Sequence, residues 1–102
     1  MDKALRYLAL AAKAGKLIVG AEDCAKTIKR NRGNLLVLAS DAGGNTASQA
    51  ENMAQNGAGI LCRARYTKEE IAQAIGRGNP VALVMICDEG LAKAFAAVAD
   101  KD

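Results

Sequence analysis

The residues most suited to binding chemistry lie in a short charged segment after Gly20. Four of its side chains have the three- and four-residue spacing of one helix face: Glu22, Lys26, Lys29 and Arg30. Lysines near the free N–H groups of a helix N-terminus suit phosphate, and carboxylates such as Asp23 can accept hydrogen bonds from guanine. A solvated helix face, with Glu22 and Lys26 as a stabilising pair, is the alternative, and the residue types alone favour it.

The basic residues are distributed unevenly although the net charge is only +3. Residues 1–32 hold eight of the fourteen lysines and arginines, residues 33–62 hold none, and the remainder begin at Arg63. Such clustering is typical of a nucleic-acid footprint in a nearly neutral protein. Solubility alone would explain surface cations equally well, so the charge pattern leaves both interpretations open.

The sequence contains no recognisable catalytic constellation. It has no histidine, so Ser40 and Ser48 have no imidazole to activate them. The acidic pairs Glu69-Glu70 and Asp88-Glu89 fall in the first turns of predicted helices, where negative charge suits the helix dipole. We therefore expect a protein that is not an enzyme.

The three cysteines, Cys24, Cys62 and Cys87, are widely spaced and lie in apolar surroundings. Their odd number and spacing fit neither a disulfide framework nor a C-x-x-C metal or redox motif. We interpret them as small buried side chains, and we expect no metal or other cofactor.

A glycine-rich segment, Asp41–Thr46, follows a predicted strand and opens a predicted helix. Its free N–H groups could hold an anion, which makes a small nucleotide-binding protein one alternative function. The lysine and hydroxyl pair of a phosphate-binding loop is missing from the segment, so a capping turn is the favoured interpretation.

Four apolar segments alternate with helical patterns along the 102 residues. The predicted strands are Lys16–Val19, Leu35–Ala39, Gly59–Arg63 and Val81–Cys87. The last three are almost continuously apolar, as is typical of strands covered on both faces. The predicted helices are Lys3–Ala14, a second between Gly20 and Gly33, a third from Thr46 to Asn56, a fourth from Thr67, and a fifth capped by Asp88. Capping boxes are predicted for Thr46 with Gln49 and for Thr67 with Glu70.

This alternation predicts one domain over residues 1–102 with an α/β fold. We expect a three-layer α/β/α sandwich with a small mixed four-stranded sheet and about five helices. The longest uncharged stretch is too short to span a bilayer, and charges interrupt the first apolar run, so we expect no membrane association and a cytoplasmic location.

Four segments, in this order and spacing, resemble the ribosomal protein L7Ae/L30e family, in particular its bacterial branch. They are Leu8–Gly20, Leu36–Asp41 together with Asn45-Thr46, Thr67–Ile71 and Val84–Lys93. The resemblance covers nearly the whole chain and implies the same α/β/α sandwich. It also implies RNA binding, since many members bind kink-turn RNA, an internal loop with tandem sheared G·A pairs.

The family signature G-x-N-E-x-x-K corresponds here to the segment from Gly20 to Lys26. Gly20 and Lys26 match it, Asp23 takes the place of the glutamate, and Glu22 replaces the asparagine. Two further departures lie later in the chain. Ala72 replaces a family glycine, and the segment from Gly76 to Pro80 is polar and basic where kink-turn binders have an apolar loop.

The resemblance implies an RNA-binding protein that acts through the start of its second helix. The expected RNA-contacting residues are Lys16, Gly20, Ala21, Glu22, Asp23, Lys26, Lys29, Arg30 and Arg77. Of these, Lys16, Lys29 and Arg30 would hold flanking phosphates, and Arg77 would reach the backbone. The expected partner of this monomer is structured RNA, ribosomal or otherwise kink-turn-like, together with ribosomal proteins. A protein-interaction module of a ribonucleoprotein particle is the other alternative.

Overall fold

The computed structural model describes residues 2–28 and 35–99, over which helices and strands alternate as predicted. The elements are α1 (Lys3–Lys13), β1 (Leu17–Val19), α2 (Ala21–Ile28), β2 (Leu35–Leu38), α3 (Gly44–Met53), β3 (Ile60–Arg63), α4 (Lys68–Ile75), β4 (Leu83–Ile86) and α5 (Glu89–Ala99). A π-helical turn, Ala54–Ala58, extends α3. The predicted end of the second helix before Gly33 lies outside the described residues.

The four described strands form one mixed sheet in the order β1-β4-β2-β3. β4 runs antiparallel to both of its neighbours, pairing Met85 with Ile18 on one side and with Leu36 on the other. β2 and β3 run parallel, with Leu35 opposite Ile60. The strand that comes last in the described chain therefore lies inside the sheet.

Alternate residues of the two central strands enter two separate apolar clusters, one on each side of the sheet. On one side, Val37 and Val84 pack with α1, α4 and α5, whose fully buried side chains include Leu8 and Phe95. On the other side, Leu36 and Met85 pack with α2 and α3. All four positions of β2 and of β4 are buried because helices cover both faces. The predicted α/β/α arrangement is confirmed.

β3 differs from its prediction, because it is not covered on both faces. Its two end residues are exposed, and the side chain of Ile60 is 71% accessible to solvent. The reason is the strand order, which places β3 at an edge where only β2 pairs with it. Apolar character alone cannot distinguish such an edge strand from a central one.

The two predicted capping boxes have different outcomes. At α4 the Thr67 hydroxyl accepts a hydrogen bond from the Glu70 N–H (3.1 Å), and the Glu70 carboxylate accepts one from the Thr67 N–H (2.9 Å). The box at Thr46 is wrong, because Gly43 already caps α3 in an extended conformation. The Gly43 carbonyl accepts the first helical bond from Ala47 (3.0 Å), which places Thr46 inside the first turn. None of the described helices is long and apolar enough to cross a membrane.

Candidate nucleic-acid interface

One end of the sheet gathers the starts of three helices. β1, β2 and β3 finish at this end and β4 begins there, as the hydrogen bond from the Gly20 N–H to the Leu83 carbonyl (2.8 Å) demonstrates. The Ala64 N–H likewise donates to the Leu38 carbonyl (2.9 Å). Because α2, α3 and α4 each follow one of these strand ends, their positive dipole ends lie at the same side of the molecule. We call this side the α2 edge.

Gly20 forms the sharp turn by which the chain leaves β1 and enters α2. Its φ is +95°, a conformation that residues with a side chain rarely adopt. A Cβ built on Gly20 would meet nothing within 4 Å, so the backbone conformation is what requires glycine here. The Gly20 carbonyl accepts from the Cys24 N–H (3.0 Å), which places Ala21, Glu22 and Asp23 in the first turn of the helix.

Cys24 anchors α2 to the sheet. Its side chain is fully buried, and its Sγ lies 3.7 Å from the Ile18 carbonyl oxygen, to which the thiol donates. Burial, together with the nearby Cys87 and Asp23, raises the pKa of the Cys24 thiol to about 12. The thiol is therefore neutral and structural, as the sequence predicted. Cys62 and Cys87 are half-buried instead, and burial also raises the pKa of Cys87.

Lys26 and Glu22 form an ion pair on the solvent side of α2. Their Nζ and Oε1 atoms are 3.6 Å apart, and the side chains are 71% and 86% exposed. A pair this exposed contributes only a few tenths of a kcal/mol, roughly 0.3–0.5, to helix stability. Both the helix-stabilising pair and an available ligand-binding lysine are compatible with this geometry, because a charged ligand can displace so weak a partner.

An open groove of about 660 Å³ runs between α2 and α3. It is lined by Ala21, Glu22, Ala25, Lys26, Gln49, Asn52 and Met53. The amides of Gln49 and Asn52 and the Met53 thioether were missed by sequence reasoning, because only the packing of the two helices brings them beside Lys26. Their spacing on one helix face was the available signal. The groove offers carboxylate, ammonium and amide groups over an apolar floor.

Lys16 is not brought together with Gly20. It precedes β1, at the opposite end of the strand, where its carbonyl accepts from the Cys87 N–H (2.8 Å). The three residues of β1 lie between Lys16 and Gly20, and the four residue steps that join the two span roughly 13 Å at the usual strand rise. The prediction assumed that residues close in sequence are close in space. The extended strand β1 instead holds Lys16 and Gly20 at its opposite ends.

Arg77 also lies away from the α2 edge. It follows Gly76 at the far end of α4, where the Arg77 N–H donates to the Ala72 carbonyl (2.8 Å). The chain then returns along α4 to Val81, whose N–H donates to the Lys68 carbonyl (3.1 Å). Val81 is therefore the part of this loop near the α2 edge. The other two predicted phosphate ligands, Lys29 and Arg30, lie outside the described residues.

The glycine-rich segment Asp41–Thr46 carries a negative charge of its own, which lies at the start of α4. The Asp41 carboxylate accepts a hydrogen bond from the Lys68 N–H (2.8 Å) at the start of α4. A second anion there would be repelled by this carboxylate. This geometry favours the turn over the nucleotide site.

The fold and the edge just described define a small α/β protein in which three helices begin at one end of a mixed sheet. A family model described as the ribosomal protein L7Ae/L30e/S12e/Gadd45 family matches residues 2–96. The chain belongs to this family.

Similar proteins include the "RNA-binding protein YlxQ" of Enterococcus faecium, 32% identical over 92 residues that cover 90% of this chain and 86% of that protein. A solved structure of a protein of unknown function from Bacillus halodurans C superposes with a TM-score of 0.89. It is 26% identical and covers 99% of this chain and 100% of its own. The Giardia lamblia 15.5kD RNA binding protein superposes with a TM-score of 0.78 at 17% identity. That match covers 97% of this chain and 83% of the other, and it shows the fold alone.

Proposed function

We propose that this protein binds structured RNA through the α2 edge and does no chemistry on it. The observation that carries the proposal is the turn at Gly20, which presents the start of α2. Glu22 and Lys26 line one groove there, and Asp23 is exposed next to them in the sequence. Family membership and the similarity to the RNA-binding protein of Enterococcus faecium support RNA as the ligand.

Each side chain has a separate task in this proposal. Lys26 leaves its weak pair with Glu22 and donates to guanine O6 and N7 or to a phosphate. Asp23 accepts from guanine N–H groups, while Glu22 contacts the same RNA loop and places a further negative charge near it. The free N–H groups at the start of α2, Ala21 included, donate to a phosphate oxygen. Lys29 and Arg30, which follow on the same helical spacing, would hold flanking phosphates.

More specifically, we propose that the RNA is kink-turn-like and belongs to a ribosomal or other ribonucleoprotein particle. The protein would bind it as a monomer in the cytoplasm. A sharply bent RNA offers unstacked bases and closely spaced phosphates to one small protein surface. Recognition would depend on shape with few base contacts, and phosphate neutralisation would make the affinity fall with added salt. Ribosomal proteins would be neighbours in such a particle.

The decisive experiment compares two variants that are matched in their surroundings. Lys26→Ala and Lys93→Ala each remove a lysine from an exposed i, i+4 pair with a glutamate, but Lys93 lies on α5 across the sheet. We expect Lys26→Ala to weaken binding to a kink-turn RNA by about 1–3 kcal/mol and Lys93→Ala to leave it nearly unchanged.

The titrations use a kink-turn RNA and a fully paired duplex of equal length at two salt concentrations. Selective binding of the kink-turn RNA that depends on Lys26 would support both parts of the proposal. Equal binding of both RNAs would overturn kink-turn recognition. Equal losses for the two variants, with both still folded by circular dichroism, would overturn the assignment of the site to the α2 edge.

A further inference from the structure

We propose that α1 carries a second RNA-contacting surface, which binds the phosphate backbone of a paired RNA helix. The protein would then hold two RNA segments at once, one at the α2 edge and one on α1. The choice of RNA as the partner of this second surface rests on the proposed function.

The surface is one face of a single helix, and we call it the α1 basic face. It comprises Lys3, Arg6, Leu10 and Lys13, all exposed. At 100° per residue these four positions fall within about 80° of arc and span roughly 15 Å along the helix. The opposite stripe of α1 is fully buried through Ala4, Leu8 and Ala11, so packing fixes the direction in which the charged face points.

The cations on this face are available for a ligand. Among the described residues, the ion pairs engage Lys26, Arg63, Arg65 and Lys93, and none involves Lys3, Arg6 or Lys13. The carboxylate of Asp2, which precedes the helix, is occupied by the Ala4 N–H (2.9 Å), the Tyr66 hydroxyl (2.7 Å) and Arg65 (3.2 Å).

The α1 basic face is separate from the α2 edge. α1 packs in the apolar cluster with α4 and α5, whereas α2 packs in the cluster on the other side of the sheet. The α4 end that carries Arg77 belongs to the α1 side, since Lys13 and Gly76 line one shallow groove there. An RNA segment seated at the start of α2 would have to pass around the molecule to reach α1.

Charge complementarity identifies the phosphate backbone as the occupant. Three cations that form no ion pair with a described carboxylate lie on one helix face, with no acidic residue among them, and they match a regular array of phosphates. A protein helix is too wide for the deep, narrow major groove of paired RNA, so contact with phosphates and not with base edges is expected. Leu10, 50% exposed at the centre of the face, provides a way to test this choice.

The test titrates a perfectly paired RNA duplex, without any internal loop, over a series of salt concentrations. The variant Arg6→Gln/Lys13→Gln is compared with Arg63→Gln/Lys93→Gln, which removes the same residue types and the same net charge from cations already paired with carboxylates. All four substitutions are at exposed positions. We expect the α1 variant to lower the slope of log K against log salt by about 1.5 and the affinity by about tenfold, and the control to change both far less.

Three results would overturn the proposal. If the α1 variant binds the duplex as tightly as the wild-type protein does, phosphate contact by this face is excluded, and an acidic protein becomes the expected partner. Equal losses for the α1 variant and the control would show a general effect of net charge. A Leu10→Ser variant that loses as much affinity as the α1 variant would show that apolar contact drives binding.

A second assay separates this proposal from the proposed function. Kink-turn RNA is immobilised, loaded with protein and then offered the labelled duplex. We expect Lys26→Ala to reduce protein loading, and Arg6→Gln/Lys13→Gln to load normally but fail to capture the duplex. If the protein does not load at all, the proposed function fails while the duplex titration still decides the role of α1.

Discussion

Gly20 is required because of its backbone conformation, and not because a larger side chain would collide with its neighbours. We expect Gly20→Ala to lower the free energy of unfolding by about 1–3 kcal/mol, because its φ of +95° is strained for alanine. Gly44→Ala is the control, since its Cβ would also enter open space but its backbone is helical. That variant should be unchanged or up to about 1 kcal/mol more stable in urea unfolding. Equal losses in both would contradict the conformational explanation.

Glu22 is the residue at which this chain departs most from the family signature. Replacing it with asparagine removes a negative charge near the proposed phosphate site and restores an amide donor. We expect Glu22→Asn to strengthen kink-turn binding by about 1 kcal/mol in low salt. Glu89→Asn removes the equivalent partner of Lys93 and should have no effect. Weaker binding of Glu22→Asn would mean that Glu22 serves a different RNA, and filter-binding or fluorescence titrations would measure either change.

At the scale of elements, Thr46 and Thr67, both predicted from the sequence to cap helices, should respond differently to removal of the side-chain hydroxyl. Thr67→Ala removes the side-chain acceptor at the start of α4 and should cost about 0.5–2 kcal/mol of unfolding free energy. Thr46→Ala should change it by less than about 0.5 kcal/mol, because Gly43 caps α3 and Thr46 already has helical neighbours. Urea unfolding of both variants is the measurement. A loss at Thr46 as large as at Thr67 would contradict the observed start of α3.

The order and type of α1–α5 and β1–β4 were predictable, because local periodicity encodes each of them, whereas the π-helical turn after α3 and the residue that caps α3 were not. The sheet order was not, since nothing local distinguishes the edge strand that carries Ile60 from a central one. The same limit applies to the site. Glu22 and Lys26 were identified from one helical face and Asp23 from its place beside them. The neighbouring Asn52 and the separation of Lys16 from Gly20 depend instead on packing between elements.

At the scale of the whole molecule, Tyr66 and Asp2 connect three parts of the fold. Asp2 caps α1, accepts from the Tyr66 hydroxyl (2.7 Å) before α4, and pairs with Arg65. Arg65 also donates to the Ala99 carbonyl at the end of α5 (2.8 Å) and lies 4.9 Å from the centre of the Tyr66 ring. The start of the first helix and the end of the last described helix are thereby held at one place.

This connection predicts a dependence of stability on alkaline pH. Burial, and then the hydrogen bond to Asp2, raise the pKa of Tyr66 from 10 to about 12. The folded state therefore keeps a proton that the unfolded state loses, so this contribution is complete below about pH 10 and is lost as pH rises towards 12. Urea unfolding should show wild type losing stability relative to Tyr66→Phe above pH 10. Parallel curves for the two proteins would contradict the raised pKa.

The same hydrogen bond shifts the pKa of Asp2 in the opposite direction, so its effect on stability is seen in acid. Hydrogen bonds from Tyr66 and from the Ala4 N–H, together with Arg65, lower the pKa of Asp2 below its ordinary value of 3.8. Its contribution to stability is therefore present above about pH 4 and is lost as pH falls through the lowered pKa. In the same series of urea unfolding measurements, Asp2→Asn should lose less unfolding free energy than the wild type as the pH falls below about 4.

The position of β4 inside the sheet has a consequence for how the chain is made. β1 pairs only with β4, and β2 has β4 as one of its two neighbours, yet β4 begins 64 positions after the end of β1 and 45 positions after the end of β2. During synthesis from the N-terminus, β1 has no strand to pair with until residues 83–86 have left the ribosomal exit tunnel. Before that point only β2 and β3 can pair with each other. Until that moment the apolar faces of α1 and α2 have no complete sheet to pack against, so the apolar clusters on both sides of the sheet can close only after β4 has been synthesised.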